Sequence, residues 1–497
     1  MDIITIILPF LQVLYVICNL LLFAIGLNGM ILSAIYLFKR NKIDRPNNPQ
    51  PPAEWPMVTV QLPIYNERYL VERLLASITR LDYPANRLEI QILDDSDDFT
   101  SELLMKLKEH YQKQGFNIQY LHRPERTGYK GGNLAYGLER ASGDFIAIFD
   151  ADFQPPRNWL KKVVPHFRDP RLGFVQTRWA YLNFRHNLVS ALAGIIINGH
   201  QVVEQTVRAN SGLFCNFNGS SGVWRKTAII DIGGWRWDTL TEDMNMSFRS
   251  QFKGWKGYYL NDNPAAGELP VDMDSFMLQQ FRWAKGAAQN ARRFIPRLFQ
   301  TKMPVHKKLM TSLHLLTYIT FPFMFLLLIL MPLISLYSVS LINMFAWTSI
   351  AGMGSILLFS LAKTEDVPRF IDRLPYMPIL GLLGIGISLN MAIGVISGLV
   401  SNGGVFVRTS RMDPRVGDEN PKKKHRLSAL LVTGELAMSI YLLSAIYGLL
   451  SLNLPAGLYL WLGTSALGFL MMAGIGIVQH LQNAFRASLK RQIASSN

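Results

Sequence analysis

The sequence predicts an α/β domain set between membrane-spanning helices, and three observations carry that prediction. The first is composition: of 497 residues, 49% are hydrophobic and only 17% charged, with a mean hydropathy of +0.15. That balance is too apolar for an ordinary soluble enzyme. The second is the long uncharged runs toward both ends of the chain. The third is the stretch of about 220 residues between them, in which short β-rich runs alternate with polar loops and helix-like segments.

Ile3 to Phe38 contains no charged residue. As a helix it would extend roughly 50 Å at about 1.5 Å per residue, against a hydrocarbon core of about 30 Å. Asp2 precedes the run and Lys39, Arg40 and Lys42 follow it, whereas a cleavable leader carries its basic residues first. The positive-inside rule puts the amino terminus outside and residue 39 onward in the cytoplasm, so 1–43 reads as a transmembrane helix. Asn47-Asn48-Pro49-Gln50-Pro51-Pro52 reads as a linker. Residues 44–274 then form the α/β domain, with Met57–Leu62, Leu88–Leu93 and Phe145–Phe149 as strands of a parallel sheet.

Beyond Asp274 no acidic residue occurs until Glu365, while Arg282, Lys285, Arg292, Arg293, Arg297, Lys302, Lys307 and Lys308 fall in between. Phe276, Phe281, Ala284, Ala288, Ala291, Ile295 and Leu298 recur there at helical spacing, so 275–308 reads as an amphipathic helix on the bilayer surface. Within 309–483, apolar stretches follow at Leu313–Tyr337, Ile342–Ala362, Pro378–Val400, Leu427–Leu450 and Leu458–Leu481. The loop 401–426 holds Arg411, Arg415 and Lys422-Lys423-Lys424, and the tail 484–497 holds Arg486, Lys490 and Arg491. Both therefore belong in the cytoplasm, and an even number of spans must separate residue 310 from residue 408. Pro378–Val400, with five glycines, Ser388 and Asn390, reads as interfacial or re-entrant. That gives one amino-terminal span and four carboxyl-terminal ones, or six in all if it crosses.

Lysine and arginine exceed aspartate and glutamate by 50 to 35, and the surplus sits beside apolar spans, where anionic lipid explains it and nucleic acid is not needed. Cys18 and Cys215 form no disulfide framework and no zinc spacing. The chemistry rests on other residues.

Gln61-Leu62-Pro63-Ile64-Tyr65-Asn66-Glu67 is a β-run ending in a polar turn, where open α/β sheets bind ligands. Asp94-Asp95-Ser96-Asp97-Asp98 follows another strand, and a helix cap accounts for one such aspartate but not four. Asp150-Ala151-Asp152 follows the strand Phe145–Phe149. Residues two apart on an extended chain face one way, so the pair can meet one divalent ion and leave room for phosphate oxygens. Arg126-Thr127-Gly128-Tyr129-Lys130-Gly131-Gly132-Asn133 puts a cation and glycines before a helix-like run, without P-loop spacing. In Thr241-Glu242-Asp243 a carboxylate can take a proton from an attacking hydroxyl or cap a helix. In Gln279-Gln280-Phe281-Arg282-Trp283 the indole offers a face for a sugar ring and the guanidinium a bidentate phosphate donor; both also suit a membrane anchor.

In this order and spacing, from about Trp55 to Trp283, these segments resemble the membrane-integrated synthases of glycosyltransferase family 2. Asp94-Asp95, Asp150-Ala151-Asp152, Thr241-Glu242-Asp243 and Gln279-x-x-Arg282-Trp283 look like that family's four hallmark segments. Gly128-Tyr129-Lys130, Phe217-Asn218-Gly219-Ser220-Ser221-Gly222-Val223-Trp224-Arg225 and Gly233-Gly234-Trp235 read most like cellulose-synthase-like mannan, glucomannan and glucan synthases.

The resemblance implies a cytoplasmic GT-A nucleotide-sugar domain inserted between the transmembrane helices of an integral, multi-pass membrane protein of the cell or inner membrane. It implies that Tyr65 and Glu67 contact the base, Asp94 and Asp95 the nucleoside, and Lys130 and Arg282 the diphosphate. Asp150 and Asp152 would hold Mg2+ or Mn2+. Asp243, with Glu242 beside it, would be the general base of an inverting displacement, and Gln279, Trp283 and Asn218 would meet the acceptor. Val405-Phe406-Val407-Arg408-Thr409 resembles a gating loop over bound nucleotide, departing from it by placing Arg408 before Thr409. The donor implied is a UDP- or GDP-hexose and the product a β-glycan, extended processively and threaded through the membrane, with room for export partners. The same segments occur in enzymes that transfer one sugar to ceramide or another lipid, so a glycolipid synthase is the alternative. A receptor that binds nucleotide sugars without turnover would have no need of Asp152 and Asp243.

Overall fold

The computed structural model describes residues 3–43, 49–345, 348, 350, 352–404, 421–452 and 454–495. Seven strands form one mixed sheet: β1 (Val58–Ile64), β2 (Leu88–Asp94), β3 (Ile118–His122), β4 (Phe145–Ile148), β5 (Leu172–Tyr181), β6 (Gly222–Arg225) and β7 (Lys256–Gly267), in the order β3-β2-β1-β4-β6-β5-β7. β6 runs antiparallel to β4 and β5, and every other pairing is parallel. This is a GT-A-like mixed sheet.

β1 and β2 are buried at every position except Pro63, as parallel strands covered on both faces must be. Their apolar residues join those of β4 and the flanking helices in one core. Polar side chains inside it pair across the parallel register: Thr59 Oγ1 donates to Glu89 at 2.5 Å, and Gln61 Nε2 to Gln91 at 3.0 Å. Such pairs offset the cost of burying donors away from water. The chain steps from β1 outward to β2 and β3, then returns to place β4 on the other side of β1. Loops leaving the carboxyl ends of β1 and β4 diverge at that switch, and the sheet opens a crevice there.

Among the described residues, four helices are long and apolar enough to cross a membrane: Ile6–Lys39, Thr317–Tyr337, Ala429–Leu452 and Ala456–Gln482. Phe370–Gly386 and Ser388–Val400 form a pair bent by 50°, which makes a fifth span if the two act as one. Of the expected span at Ile342–Ala362, the described residues include the helices Val339–Phe345 and Met353–Leu361, and the longer extends about 14 Å at 1.5 Å per residue; residues 346, 347, 349 and 351 lie outside the described residues. Gly354 brings the second helix against Ile6–Lys39, where a Cβ would overlap the Gly26 carbonyl.

Met273–Phe299, the interface helix, is capped by Asp272, whose carboxylate accepts from Ser275 N–H at 2.8 Å. Phe276, Ala284, Ala288, Ala291 and Leu298 are buried as its spacing requires. Their partner differs from expectation: protein, and not the bilayer surface, covers this face. Gly394 and Gly398 of Ser388–Val400 press on it, so that a Cβ on Gly394 would lie 3.1 Å from the Phe281 carbonyl. Small residues four apart allow helices this close.

Candidate active site

The crevice is an open cleft with about 200 Å³ of accessible space. Seven carboxylates and three cationic side chains line it, an excess of negative charge that a bound cation would offset. Tyr65 and Glu67 come from the turn after β1 and Asp95 from the end of β2. Lys130 opens the helix Tyr129–Arg140, and Asp150 and Asp152 follow β4.

Local bonds fix each of these. Arg126 lies over the Tyr65 ring, 3.2 Å from its centroid, in cation–π contact. Arg123 grips Asp95 with both ends of its guanidinium, at 2.8 and 2.5 Å, and donates to the carbonyls of Thr127 and Tyr129, so one side chain holds both Asp95 and the turn before Lys130. Lys130 Nζ lies 2.5 Å from Asp150 and donates to the Gly219 carbonyl at 2.9 Å. Burial pulls its ammonium down, but Asp150, Glu242 and Asp243 outweigh that and hold it above the ordinary lysine value. Asp152 accepts from Glu268 N–H at 3.1 Å, and Glu268 is paired with Arg73 at 2.5 Å.

The opposite wall carries Glu242 and Asp243 at the start of the helix Glu242–Phe252. Burial, reinforced by the neighbouring Glu242 carboxylate, pushes Asp243 up to about 7, and burial raises Glu242 against the pull of Lys130. The interface helix holds this turn. Gln289 accepts from Leu240 N–H at 2.9 Å, Asn290 donates to Thr241 Oγ1 at 2.9 Å, and a Cβ on Gly286 would stand 2.5 Å from that hydroxyl. Gln279, Arg282 and Trp283, at spacings of three and four on the same helix, face the cleft together. Asn218 and Gly219 close the remaining side.

Among the described residues, the non-glycine residues with positive φ are Asn66 (54°), Tyr129 (49°) and Ser221 (59°). Asn66 sits between Tyr65 and Glu67, Tyr129 precedes Lys130, and Ser221 ends the turn through Asn218. Such strain costs about 1–3 kcal/mol per residue and collects at functional sites.

Asp94 is the correction here. It is fully buried behind the cleft wall, accepting from Ser96 N–H, Ser101 and Tyr120 at 2.9, 2.5 and 2.7 Å. It holds its loop, and Asp95 faces the cleft. Phe406, Arg408 and Thr409 lie outside the described residues. The sequence reading missed Trp179 and Tyr181 of β5 and Glu268, which also line the cleft. The aromatics two apart on one strand face were a usable signal; nothing marked Glu268.

Asp150 and Asp152 suit a hard divalent cation: two carboxylates beside open space, with other coordination positions left for phosphate oxygens. Among the described residues no group of three or more histidine, cysteine or carboxylate side chains is placed to hold a metal ion by itself.

Residues 59–211 match the model of Glycosyl transferase family 2, and residues 145–359 that of Glycosyl transferase family group 2. The chain carries a family 2 glycosyltransferase domain. Asp150 falls inside both matched regions and Asp243 inside the second. Over 255 residues, half of this chain, it is 37% identical to Glucomannan 4-beta-mannosyltransferase 7 of Arabidopsis thaliana. It spans about half, 46%, of that curated relative's length. Among solved structures it is similar to the mannosyltransferase PcManGT of Pyrobaculum calidifontis, in complex with GDP-Man and Mn2+, at TM-score 0.49 and 18% identity over 77% of this chain and 99% of that one. It is also similar to S. aureus TarS, at TM-score 0.36 and 14% identity over 69% and 55%.

Proposed function

We propose that the protein is an inverting hexosyltransferase, moving a sugar from a nucleotide diphosphate donor to a glycan acceptor with a divalent ion. Mannose is the first sugar to test, since the Arabidopsis relative is a glucomannan mannosyltransferase by name. The observation that carries the reading is one cleft lined together by Lys130, Arg282, Asp150, Asp152 and the half-buried carboxyl of Asp243, which desolvation and the Glu242 carboxylate push up to about 7.

An acceptor hydroxyl attacks the anomeric carbon, the bond to the diphosphate oxygen breaks, and Asp243 takes the hydroxyl proton. A base near neutrality is matched to that task. Lys130 and Arg282 are set to take up charge on the departing diphosphate. A divalent ion on Asp150 and Asp152 would add positive charge there. Trp283 offers a ring face to the acceptor sugar. The reading extends to a multi-pass protein whose domain faces the cytoplasm and whose spans guide a growing β-glycan outward.

The test is diphosphate release by the purified protein in lipid nanodiscs, with Mn2+ or Mg2+ and a panel of UDP- and GDP-hexoses, and sizing of the product after glycanase digestion. Long product that a β-glycanase degrades supports the full reading. A one-sugar glycolipid formed only with added lipid overturns the polymer and keeps the transferase. No turnover of any donor overturns both.

A further inference from the structure

Gly199–Gln205 is a π-helix between the α-helices Leu188–Asn198 and Thr206–Asn210. Such wide turns are rare and concentrate at functional sites. Side chains on this one reach different elements. Gln201 accepts from the Trp179 backbone N–H in β5 at 2.6 Å. Gln205 clasps the Asn216 backbone, donating to its carbonyl at 2.8 Å and accepting its N–H at 3.0 Å. Glu204 meets His314 Nδ1 at 2.7 Å with one oxygen and His200 Nδ1 at 2.8 Å with the other. His314 closes the circuit, its Nε2 lying 3.1 Å from Asn216 Oδ1.

The centre of this network is dry, with Gln201 and Gln205 0% exposed, His314 6% and Glu204 8%, while His200 and Asn216 at its edges are half-buried. Burial would raise the Glu204 carboxyl, but His314 and His200 hold it well below the ordinary range, so it is an anion. Burial lowers His314 to about 4, so its imidazole is uncharged near neutrality and the buried cation beside the Glu204 anion is Arg208, 3.9 Å away; burying charge is a poor way to gain stability, because apolar residues of the same volume do as well. What it supplies is a fixed arrangement. The two elements it ties both line the cleft: Trp179 directly, and Asn216 through Asn218 and Gly219 just beyond it. The anchor, His314, lies on Val305–Leu315, the helix leading into the span Thr317–Tyr337.

We propose that Glu204 and His314 are positioning residues, holding the Trp179 and Asn218 wall of the cleft in register with Asp243 from the edge of the membrane. The proposal rests on the transferase reading above, in which this wall receives the acceptor. Tyr65, Asp95 and Asp150, on the far wall, hang from β1, β2 and β4 and are built without the strut.

The test uses the full chain in nanodiscs and the variants Glu204→Gln and Asn216→Ala. The first removes the anion in the same shape; the second removes only the His314 contact, on a half-buried side chain. A misplaced wall should cost up to about 100-fold in transfer. For Glu204→Gln the expected result is an acceptor KM raised about tenfold and kcat lowered at least tenfold. Nucleoside diphosphate affinity by calorimetry should stay within about threefold, since Tyr65, Asp95 and Lys130 are carried by other elements and the walls meet only locally, where Lys130 bonds Gly219 and the Asp150 N–H bonds Ser220 Oγ. Asn216→Ala should move the same constants the same way by about three- to tenfold, and it decides the matter if Glu204→Gln does not fold. His314→Gln, which keeps a donor for Glu204, should retain more transfer than His314→Leu. Transfer within twofold of wild type in a folded variant, or nucleotide affinity falling in step with transfer, overturns the role. An inactive wild type that still binds nucleoside diphosphate overturns the transferase reading instead.

Discussion

Asp243 is a base only when ionised, and burial beside Glu242 holds it protonated up to about pH 7. The sign follows: a raised carboxyl pKa withholds the base at low pH, so kcat/KM should fall about tenfold per unit below 7 and level off above it. A profile with its acid limb near pH 4 would remove Asp243 from the role. Asp243→Asn should lower transfer by about 10²–10⁴-fold, the usual worth of a positioned base, with nucleoside diphosphate binding by calorimetry close to wild type. Chelation should abolish transfer and added Mn2+ or Mg2+ restore it, and Asp152→Asn should need much more metal for half-maximal rate, because a hard cation loses one of its two protein carboxylates. That Asp150, Asp152 and Asp243 gather at one cleft was legible in the sequence, because strand ends and carboxylate spacing have a geometric meaning. Asp94 and Asp95 were not separable. Both end the same apolar run, and only the fold shows that Asp94 turns back to Ser101 and Tyr120 while Asp95 turns outward to Arg123.

The interface helix shows what periodicity can and cannot deliver. Its apolar spacing fixes a helix and a buried face, yet a face of alanines looks the same whether lipid or a glycine-lined helix covers it. Gly394 and Gly398 supply the cover, and they stand more than a hundred residues away in sequence. The catalytic turn depends on the same packing. Gly286→Ala would push a methyl to 2.5 Å from Thr241 Oγ1, and overpacking of this kind costs about 1–3 kcal/mol. The displacement falls on the turn bearing Glu242 and Asp243, so kcat should drop about tenfold or more while nucleotide affinity holds. Equal loss of both in steady-state kinetics and calorimetry would mean that the helix supports the domain as a whole. The π-helix had no marker at all, since the apolar residues before it read as ordinary helix and its register depends on Gln201, Glu204 and Gln205 finding partners far along the chain.

Across the whole molecule, an α/β domain between apolar ends was plain from composition, but the spans were not, because hydropathy measures greasiness and not continuity. The described helices Val339–Phe345 and Met353–Leu361 are each too short to cross alone; the bent pair is glycine-rich and long enough. Parity then distinguishes four spans from five. With Ile6–Lys39 entering the cytoplasm and Thr317–Tyr337 leaving it, a bent pair that does not cross would leave Arg411, Lys422-Lys423-Lys424 and the basic tail outside, against the positive-inside rule. A bent pair that crosses returns all of them to the cytoplasm, beside the catalytic domain. The 25 residues from Tyr376 to Val400 would extend about 37 Å as helix, enough for the core even with a bend. We therefore expect five spans. Single cysteines at Ser410 and Ser488, with Cys18 and Cys215 replaced, should react with an impermeant maleimide only after cells are permeabilised. Labelling of either in intact cells would make the bent pair re-entrant and carry the loop to the far side, away from any nucleotide in the cleft.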